Sequence, residues 1–164
     1  MTASRILIVN QNWLGDVLCS TPAIRAIRKK FPEAHLACLV ALRCREVLAD
    51  NPHLNEVIGY DDRVSPFSPL RFFSTVLQIR ARRFDRVVFL HRSKTKAWIA
   101  LLAGVRERVG YARPFRRKLL TRVFAEPVGP LHKIDVFLHL INEWGVPPDG
   151  RELDFVVPPE GEKE

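Results

Sequence analysis

Residues 5–12, Arg-Ile-Leu-Ile-Val-Asn-Gln-Asn, form the stretch that decides the fold. Its first part, Arg5–Val9, is a short run rich in β-branched residues, and a polar segment, 10–12, ends it. A short apolar run with a polar boundary is typical of a strand that is buried on both faces. The apolar residues that follow recur at spacings of three and four, which is typical of a helix packed on a core. They are Leu14, Val17, Leu18, Ile24, Ile27 and Phe31.

The position of Pro22 is compatible with two different starting points for this helix. In one, the helix begins at Gly15 and Pro22 kinks it, because proline lacks the N–H and its ring crowds the preceding turn. In the other, Thr21 caps the helix and Pro22 takes the first helical position, where the missing N–H costs nothing. Both alternatives place a helix directly after the first strand.

The alternation of strand and helix continues along the chain. Short apolar runs predict further strands at 35–40, 56–60, 86–90, 108–111 and 153–157. Helical patterns predict helices at 43–49, from Ser65 or Ser68 to Arg83, at 95–103 and at 134–144. This order predicts βαβ units and hence a Rossmann-like α/β fold over residues 1–157, an open parallel sheet with helices on both faces. Residues 158–164, which begin Pro-Pro-Glu-Gly, are predicted to start an inter-domain linker.

Composition limits the classes of protein to which the chain can belong. With 164 residues, 47% of them hydrophobic and 27% charged, it fits one globular domain rather than a disordered or fibrous protein. Lys and Arg number 26 against 18 Asp and Glu, a net charge of +8 that predicts a negatively charged partner. The three cysteines form no CxxC pair, so we expect reduced thiols in the cytoplasm and neither a metal centre nor a disulfide framework.

The excess positive charge follows the predicted strands. Open parallel sheets bind ligands outside the carboxyl ends of their strands. The loops there carry Arg43, Arg45, Arg92, Lys94, Lys96, Arg113, Arg116, Arg117 and Lys118. One such cluster is usually a solvated surface, but three clusters at one edge predict an anion-binding site. The motifs GxGxxG and GxxxxGK[ST] do not occur, which disfavours a nicotinamide enzyme and a P-loop ATPase.

Asp16 is the best single candidate for chemistry. It follows the first strand and lies near a helix start, where the positive end of the helix dipole favours a carboxylate. An ionised carboxylate beside a sugar hydroxyl can act as a general base. The competing interpretation is a plain helix cap, the more common role of Asp at such a position. The residue alone does not separate the two.

Residues 6–32 resemble the opening of the ADP-heptose:lipopolysaccharide heptosyltransferases, glycosyltransferase family nine. The segment 12–16, Asn-Trp-Leu-Gly-Asp, followed by Thr-Pro-Ala at 21–23, is most similar to the heptosyltransferase II branch. Two later stretches, 84–97 and 102–111, agree in the same order, so the resemblance runs from about residue 5 to about residue 157. This chain departs from the pattern in its first loop, where Asn10 and Gln11 stand at positions that are basic in many relatives.

The resemblance implies a GT-B architecture, in which two Rossmann-like halves enclose a cleft. This chain would be the N-terminal half, which supplies the catalytic aspartate, Asp16, for an inverting displacement that needs no metal or other cofactor. That half would also bind the anionic lipopolysaccharide inner-core acceptor, through Asn12, Trp13, Lys94, Lys96, Arg113, Arg116 and Arg117. The donor, ADP-heptose, would bind mainly to a C-terminal half that we expect to be absent from this chain. The chain alone is therefore expected to show little or no transferase activity.

The resemblance also implies work in the cytoplasm, on the inner face of the bacterial inner membrane. Arg80, Arg82 and Arg83 are candidates for contact with anionic headgroups. Two alternatives stay open at this point: a non-catalytic basic module that binds nucleic acid or another polyanion, and an inactive half of an enzyme. No recognition-helix motif or aromatic stacking platform supports nucleic-acid binding.

Overall fold

The computed structural model describes residues 4–62 and 68–156 and contains a six-stranded sheet whose strands all pair in parallel. The strand order is β3-β2-β1-β4-β5-β6. The strands are β1 (Arg5–Val9), β2 (His35–Ala41), β3 (Glu56–Tyr60), β4 (Arg86–Phe89), β5 (Glu107–Tyr111) and β6 (Arg122–Phe124). The helices are α1 (Leu14–Cys19), α2 (Thr21–Lys30), α3 (Arg45–Leu48), α4 (Pro69–Ala81), α5 (Lys94–Leu102) and α6 (Lys133–Glu143). The predicted Rossmann-like fold is confirmed.

The side chains of β1 alternate between two cores, one on each face of the sheet. Ile8 belongs to the core that α1, α2 and α6 cover, whereas Leu7 belongs to the core that α4 and α5 cover. Because both faces are buried, the strand needs apolar residues at every position. The register pairs Val9 with Leu39 of β2 and with Phe89 of β4. The carboxyl ends of the three central strands therefore meet at one level.

The predicted first helix is in fact two helices, which corrects both starts considered above. α1 ends at Cys19 and α2 begins at Thr21, with Ser20 between them and Pro22 in the first turn of α2. Pro22 has no N–H and cannot donate the bond that would continue α1. The Ser20 hydroxyl donates to the Val17 carbonyl at 2.6 Å and so satisfies part of the α1 end.

The predicted last strand is wrong over the residues that the structure describes. Residues 153–156 form no strand and lie along α2. There the Asp154 N–H donates to Thr21 Oγ1 at 2.9 Å, and the Asp154 carboxylate accepts from Arg25 at 2.7 Å. The sheet is instead extended by β6, which the sequence analysis missed because it has only three residues. Val157 and the predicted linker, 158–164, lie outside the described residues, so the division into domain and linker stays a prediction.

Candidate functional site

A crevice opens where the strand order reverses. β1 lies between β2 and β4, and the helices that follow β1 and β4 cover opposite faces of the sheet. Open α/β sheets bind ligands in the crevice that this arrangement leaves at the carboxyl ends. A cavity of about 260 Å³, here called the first cavity, lies at this edge. Its polar lining includes Asn12, Asp62, Arg71, His91, Ser93 and Lys96.

The β1–α1 loop, residues 10–13, is held from several sides. Asn10 is completely buried, and its Nδ2 donates to Ser20 Oγ at 2.7 Å. The Asn12 carbonyl accepts from the Arg43 guanidinium at 2.6 Å. The loop leads directly into α1, so these contacts also fix the backbone that carries Asp16.

Lys96, which the sequence predicts at the anion-binding edge, is almost completely buried. Its ammonium donates to the Asn10 carbonyl at 3.3 Å and to Asn12 Oδ1 at 3.0 Å. It also lies 4.5 Å from the centre of the Tyr60 ring, and the Tyr60 hydroxyl donates to the same Asn12 oxygen. Burial lowers the pKa of Lys96 to about 7, while the Asp62 carboxylate opposes the shift. Lys96 thus ties the β1–α1 loop to α5 and lines the first cavity.

Asp16 lies in the first turn of α1, not at its cap. α1 begins at Leu14, the cap position is Trp13, and no side chain makes a cap hydrogen bond there. The capping interpretation of Asp16 is therefore not what the structure shows. The Asp16 side chain is 31% exposed, and its Oδ2 lies 3.5 Å from Lys133 Nζ at the start of α6. The carboxylate is partly open to solvent and has a cation beside it.

A second cavity lies between the ends of β4 and β5 and helix α6, and His91 lines both cavities. Arg116 borders the second cavity and is only 1% exposed, with its guanidinium 4.9 Å from the centre of the Phe89 ring. Its Nε and Nη2 have no hydrogen-bond partner among the residues that the structure describes. A Cβ at Gly110 would lie 2.8 Å from Nη2, so the glycine in β5 leaves room for the guanidinium. The second cavity measures about 10 Å³, which leaves room for a water molecule but not for a phosphate group beside this guanidinium.

Glu126 neutralises part of the basic edge. Its Oε1 accepts from Arg92, and its Oε2 accepts from Arg113 at 2.5 Å. Both arginines are therefore engaged with the protein itself. The sequence offered no sign of this pairing, because Glu126 lies 13 residues after Arg113 and follows a strand that was not predicted.

The other predicted site residues are exposed. Trp13 is 71% exposed, and the Arg43 guanidinium lies 5.4 Å from its ring. Lys94 begins α5, with its ammonium 4.6 Å from the Phe115 ring. The predicted residues thus fall into separate places: Asn12 and Lys96 at the first cavity, Arg116 at the second, Arg113 with Glu126, and Trp13, Lys94 and Arg117 on the rim.

His91 is surrounded by cations. Burial, the largest cause, and the charges of Lys96, Arg116 and Lys133 together lower its pKa to about 3. His91 is therefore neutral at physiological pH, and its Nδ1 accepts from the Ser93 N–H at 3.0 Å. The three cations that act on it belong to both cavities, so a positive potential spans the two.

Lys133 lies at the site beside Asp16, and the sequence analysis did not predict it there. A helix that follows a parallel strand starts at the carboxyl edge of the sheet, where the site lies. Because β6 was not predicted, α6 was not recognised as such a helix, and its first residue was not placed near Asp16. Tyr60, the last residue of β3, did carry a signal, since it ends a predicted strand at this edge.

Neither a metal centre nor a membrane span is found in the described part of the chain. Within residues 4–62 and 68–156 no three His, Cys, Asp or Glu side chains are placed to hold one metal ion. No helix of those residues is long and apolar enough to cross a membrane. That the reaction needs no metal stays a prediction.

The strand order and the crevice at the β1/β4 reversal define a Rossmann-like domain of the kind found in GT-B glycosyltransferases. The chain superposes on a glycosyl transferase family 9 structure from Veillonella parvula with a TM-score of 0.86, at 22% identity over 98% of this chain and 47% of the other. It superposes on the ADP-heptose lipopolysaccharide heptosyltransferase II of Escherichia coli with a TM-score of 0.74, at 23% identity over 96% and 48%. These likenesses establish the fold.

The sequence comparison also finds similarity to lipopolysaccharide heptosyltransferases. The chain is 25% identical over 161 residues to lipopolysaccharide heptosyltransferase 2 of Escherichia coli strain K12, which covers 91% of this chain and 43% of the relative. No family model matches the sequence. The chain spans a little under half the length of the relatives that it matches. The resemblance to the heptosyltransferases, first seen in residues 6–32, is confirmed.

Proposed function

We propose that this chain is the acceptor-binding and catalytic-base half of an inverting, metal-independent glycosyltransferase. In this reaction a heptose passes from ADP-heptose to the inner core of lipopolysaccharide, in the cytoplasm. The similarity to a lipopolysaccharide heptosyltransferase over 91% of the chain supports the class of reaction. The observation that carries the proposal is the position of Asp16, a partly exposed carboxylate 3.5 Å from Lys133. Asp16 follows the loop that leaves β1 at the reversal of the sheet.

Asp16 acts as the base in this proposal. Its carboxylate accepts the proton of an acceptor hydroxyl while that oxygen attacks the anomeric carbon of the heptose. The bond to the ADP leaving group breaks on the opposite face as the new C–O bond forms, which inverts the anomeric centre. The side chain is 31% exposed, so the proton can then pass to solvent.

The first cavity, of about 260 Å³, suits an acceptor that carries phosphate or carboxylate groups. Lys96 gives this cavity a buried cation. Arg116 lies at the second cavity, whose volume of about 10 Å³ admits no more than a water molecule. A charge-assisted hydrogen bond contributes about 1.5–3 kcal/mol. Binding of the donor belongs, in this proposal, to the part of the relatives that the chain does not match.

The nucleic-acid alternative receives less support from the geometry. A track for a polyanion needs many exposed cations that can replace counterions along a backbone. Lys96 and Arg116 are buried, and Arg92 and Arg113 share the carboxylate of Glu126. These four cations therefore do not form an exposed track for a continuous charged chain.

The proposal predicts that Asp16→Asn lowers kcat of heptose transfer about 100- to 10,000-fold, because the amide cannot accept the proton. The assay uses an enzyme that contains this chain together with a nucleotide-sugar-binding half. KM for the acceptor should change little, since the substitution keeps the shape of the side chain. Asp50→Asn is the matched control, because Asp50 is exposed near the end of α3.

Turnover of Asp16→Asn within a few-fold of the unsubstituted enzyme would show that Asp16 is not the base. Equal losses in Asp16→Asn and Asp50→Asn would show that the effect is a general loss of fold. A circular dichroism spectrum and a melting curve of each variant accompany the assay for that reason.

A further inference from the structure

Helix α4 presents an apolar stripe to solvent in addition to the apolar face that it buries. Val76 and Ile79 pack into the core beneath the helix. Leu70, Phe73 and Leu77 recur at spacings of three and four on the other side and are 83%, 57% and 65% exposed. Such spacing places three large apolar side chains on one helix face. Single exposed apolar residues are ordinary, whereas an aligned group marks an interaction surface.

Helix α5 continues this surface. It packs beside α4 on the same face of the sheet, and both helices contribute to one core. Trp98 and Leu102, one turn apart on α5, are 48% and 43% exposed. Tryptophan has an apolar body and a polar N–H, which favours it at the boundary between water and lipid.

The sequence that forms this surface is basic, although Arg71 of α4 pairs with Asp61 at 3.2 Å. From residue 69 to residue 106 the sequence contains nine Lys and Arg residues and a single acidic residue, Asp85. Neither α4 nor α5 contains an acidic residue. Arg80 lies seven residues after Phe73, on the same flank of α4, and has no ion-pair partner within residues 4–62 and 68–156. By contrast, Arg82 is engaged with Glu56 at 2.7 Å.

We propose that the outer face of α4 and α5, defined by Leu70, Phe73, Leu77, Trp98 and Leu102, docks on an anionic lipid bilayer. The apolar side chains enter the interfacial layer and the surrounding arginines contact lipid phosphates, as in helices that lie flat in a membrane surface. A second copy of the chain fits less well, because both copies would bring excess positive charge, including an Arg80 that is unpaired within the described residues, to the same contact. The proposal concerns a surface outside both cavities and does not depend on the reaction proposed for them.

The same helices form a wall of the first cavity, through Phe72 and Thr75 of α4 and Thr95 and Ile99 of α5. Docking of their outer face therefore brings the cavity close to the lipid surface. A ligand anchored in the membrane would then reach the cavity without leaving the bilayer.

The test is flotation of the purified protein with lipid vesicles that contain no acceptor. We expect binding to vesicles of phosphatidylcholine with one third phosphatidylglycerol, and little binding to phosphatidylcholine alone. The double variant Phe73→Ser/Leu77→Ser and the charge variant Arg80→Glu should each lower the bound fraction about fivefold or more. The controls Val128→Ser, at a fully exposed loop position, and Lys30→Glu, in the last turn of α2, should bind like the unsubstituted protein.

Three results would overturn the docking proposal. One is that the unsubstituted protein does not bind to anionic vesicles. Another is that Phe73→Ser/Leu77→Ser and Arg80→Glu both float with vesicles as well as the controls do. The third is sedimentation showing that Phe73→Ser/Leu77→Ser converts a dimer into a monomer, which would make a second copy the occupant. The role of Asp16 is judged separately, by turnover of a water-soluble acceptor fragment.

Discussion

At the scale of the residue, Lys96 shows how burial changes the role of a charged side chain. Its ammonium holds the β1–α1 loop through Asn10 and Asn12 at 3.3 and 3.0 Å. Because water is largely excluded, the charged form is disfavoured and the pKa falls to about 7 from the usual 10.5. Near neutral pH the charge of the first cavity therefore depends on pH and on whatever anion enters it.

This burial predicts a pH dependence of stability. Between pH 7 and pH 10.5 the unfolded chain keeps the Lys96 proton that the folded protein has lost, so the free energy of unfolding rises with pH. Relative to Lys96→Met, the stability of the unsubstituted protein should therefore increase by about 2 kcal/mol from pH 7 to pH 9. Urea unfolding at pH 7 and at pH 9 measures this change in the free energy of unfolding. Lys30→Met, at an exposed position, is the control. A difference that does not change with pH would mean that Lys96 stays charged in this range.

At the scale of the element, the segment 149–154 is attached to the surface of α2 by side chains of that helix, with most of the contacts made by Arg25. Arg25 is 13% exposed, bonds to the Asp154 carboxylate at 2.7 Å, and donates to the carbonyls of Asp149 and Glu152 at 2.9 Å each. The segment gains order from these contacts rather than from pairing with the sheet. This is the physical reason that residues 153–156 of the predicted strand do not pair with the sheet.

We predict that Arg25→Met lowers the free energy of unfolding by about 1–3 kcal/mol, because Asp154 loses its charged donor. Trypsin should then cleave faster after Arg151, which lies within the segment. Thermal unfolding and timed proteolysis measure the two effects. Arg106→Met, at an exposed position, serves as the control. An unchanged cleavage rate would show that the segment is held by other contacts.

At the scale of the whole molecule, the sequence predicted what depends on neighbours along the chain. β1 and β4 were predictable because burial on both faces requires continuous apolar residues, and polar loops end both strands. The sheet edge at which Asp16 and Lys96 lie was predictable from the parallel order of the strands alone. The burial of Arg116 was not predictable, because it depends on the space above Gly110 and on the Phe89 ring of a different strand. The same holds for Lys133, whose place beside Asp16 depends on the short strand β6.

The share of its relatives that the chain matches leads to a prediction about heptose transfer. The two cavities and Asp16 belong to one Rossmann-like unit, and the chain spans 43% of the length of the heptosyltransferase 2 that it matches. We therefore expect this chain by itself to transfer no measurable heptose from ADP-heptose, because donor binding is assigned to the unmatched part. Transfer by this chain alone, at rates typical of enzymes, would contradict that division of labour.

Calorimetric titration of this chain with a phosphorylated lipopolysaccharide inner-core oligosaccharide tests the central claim most directly. We expect saturable binding that Lys96→Met weakens about tenfold, in line with the loss of one charge-assisted contact in the first cavity, and that the exposed control Lys30→Met leaves unchanged. The claim would be contradicted if the oligosaccharide did not bind while a nucleic acid did, with an affinity that falls steeply as salt rises.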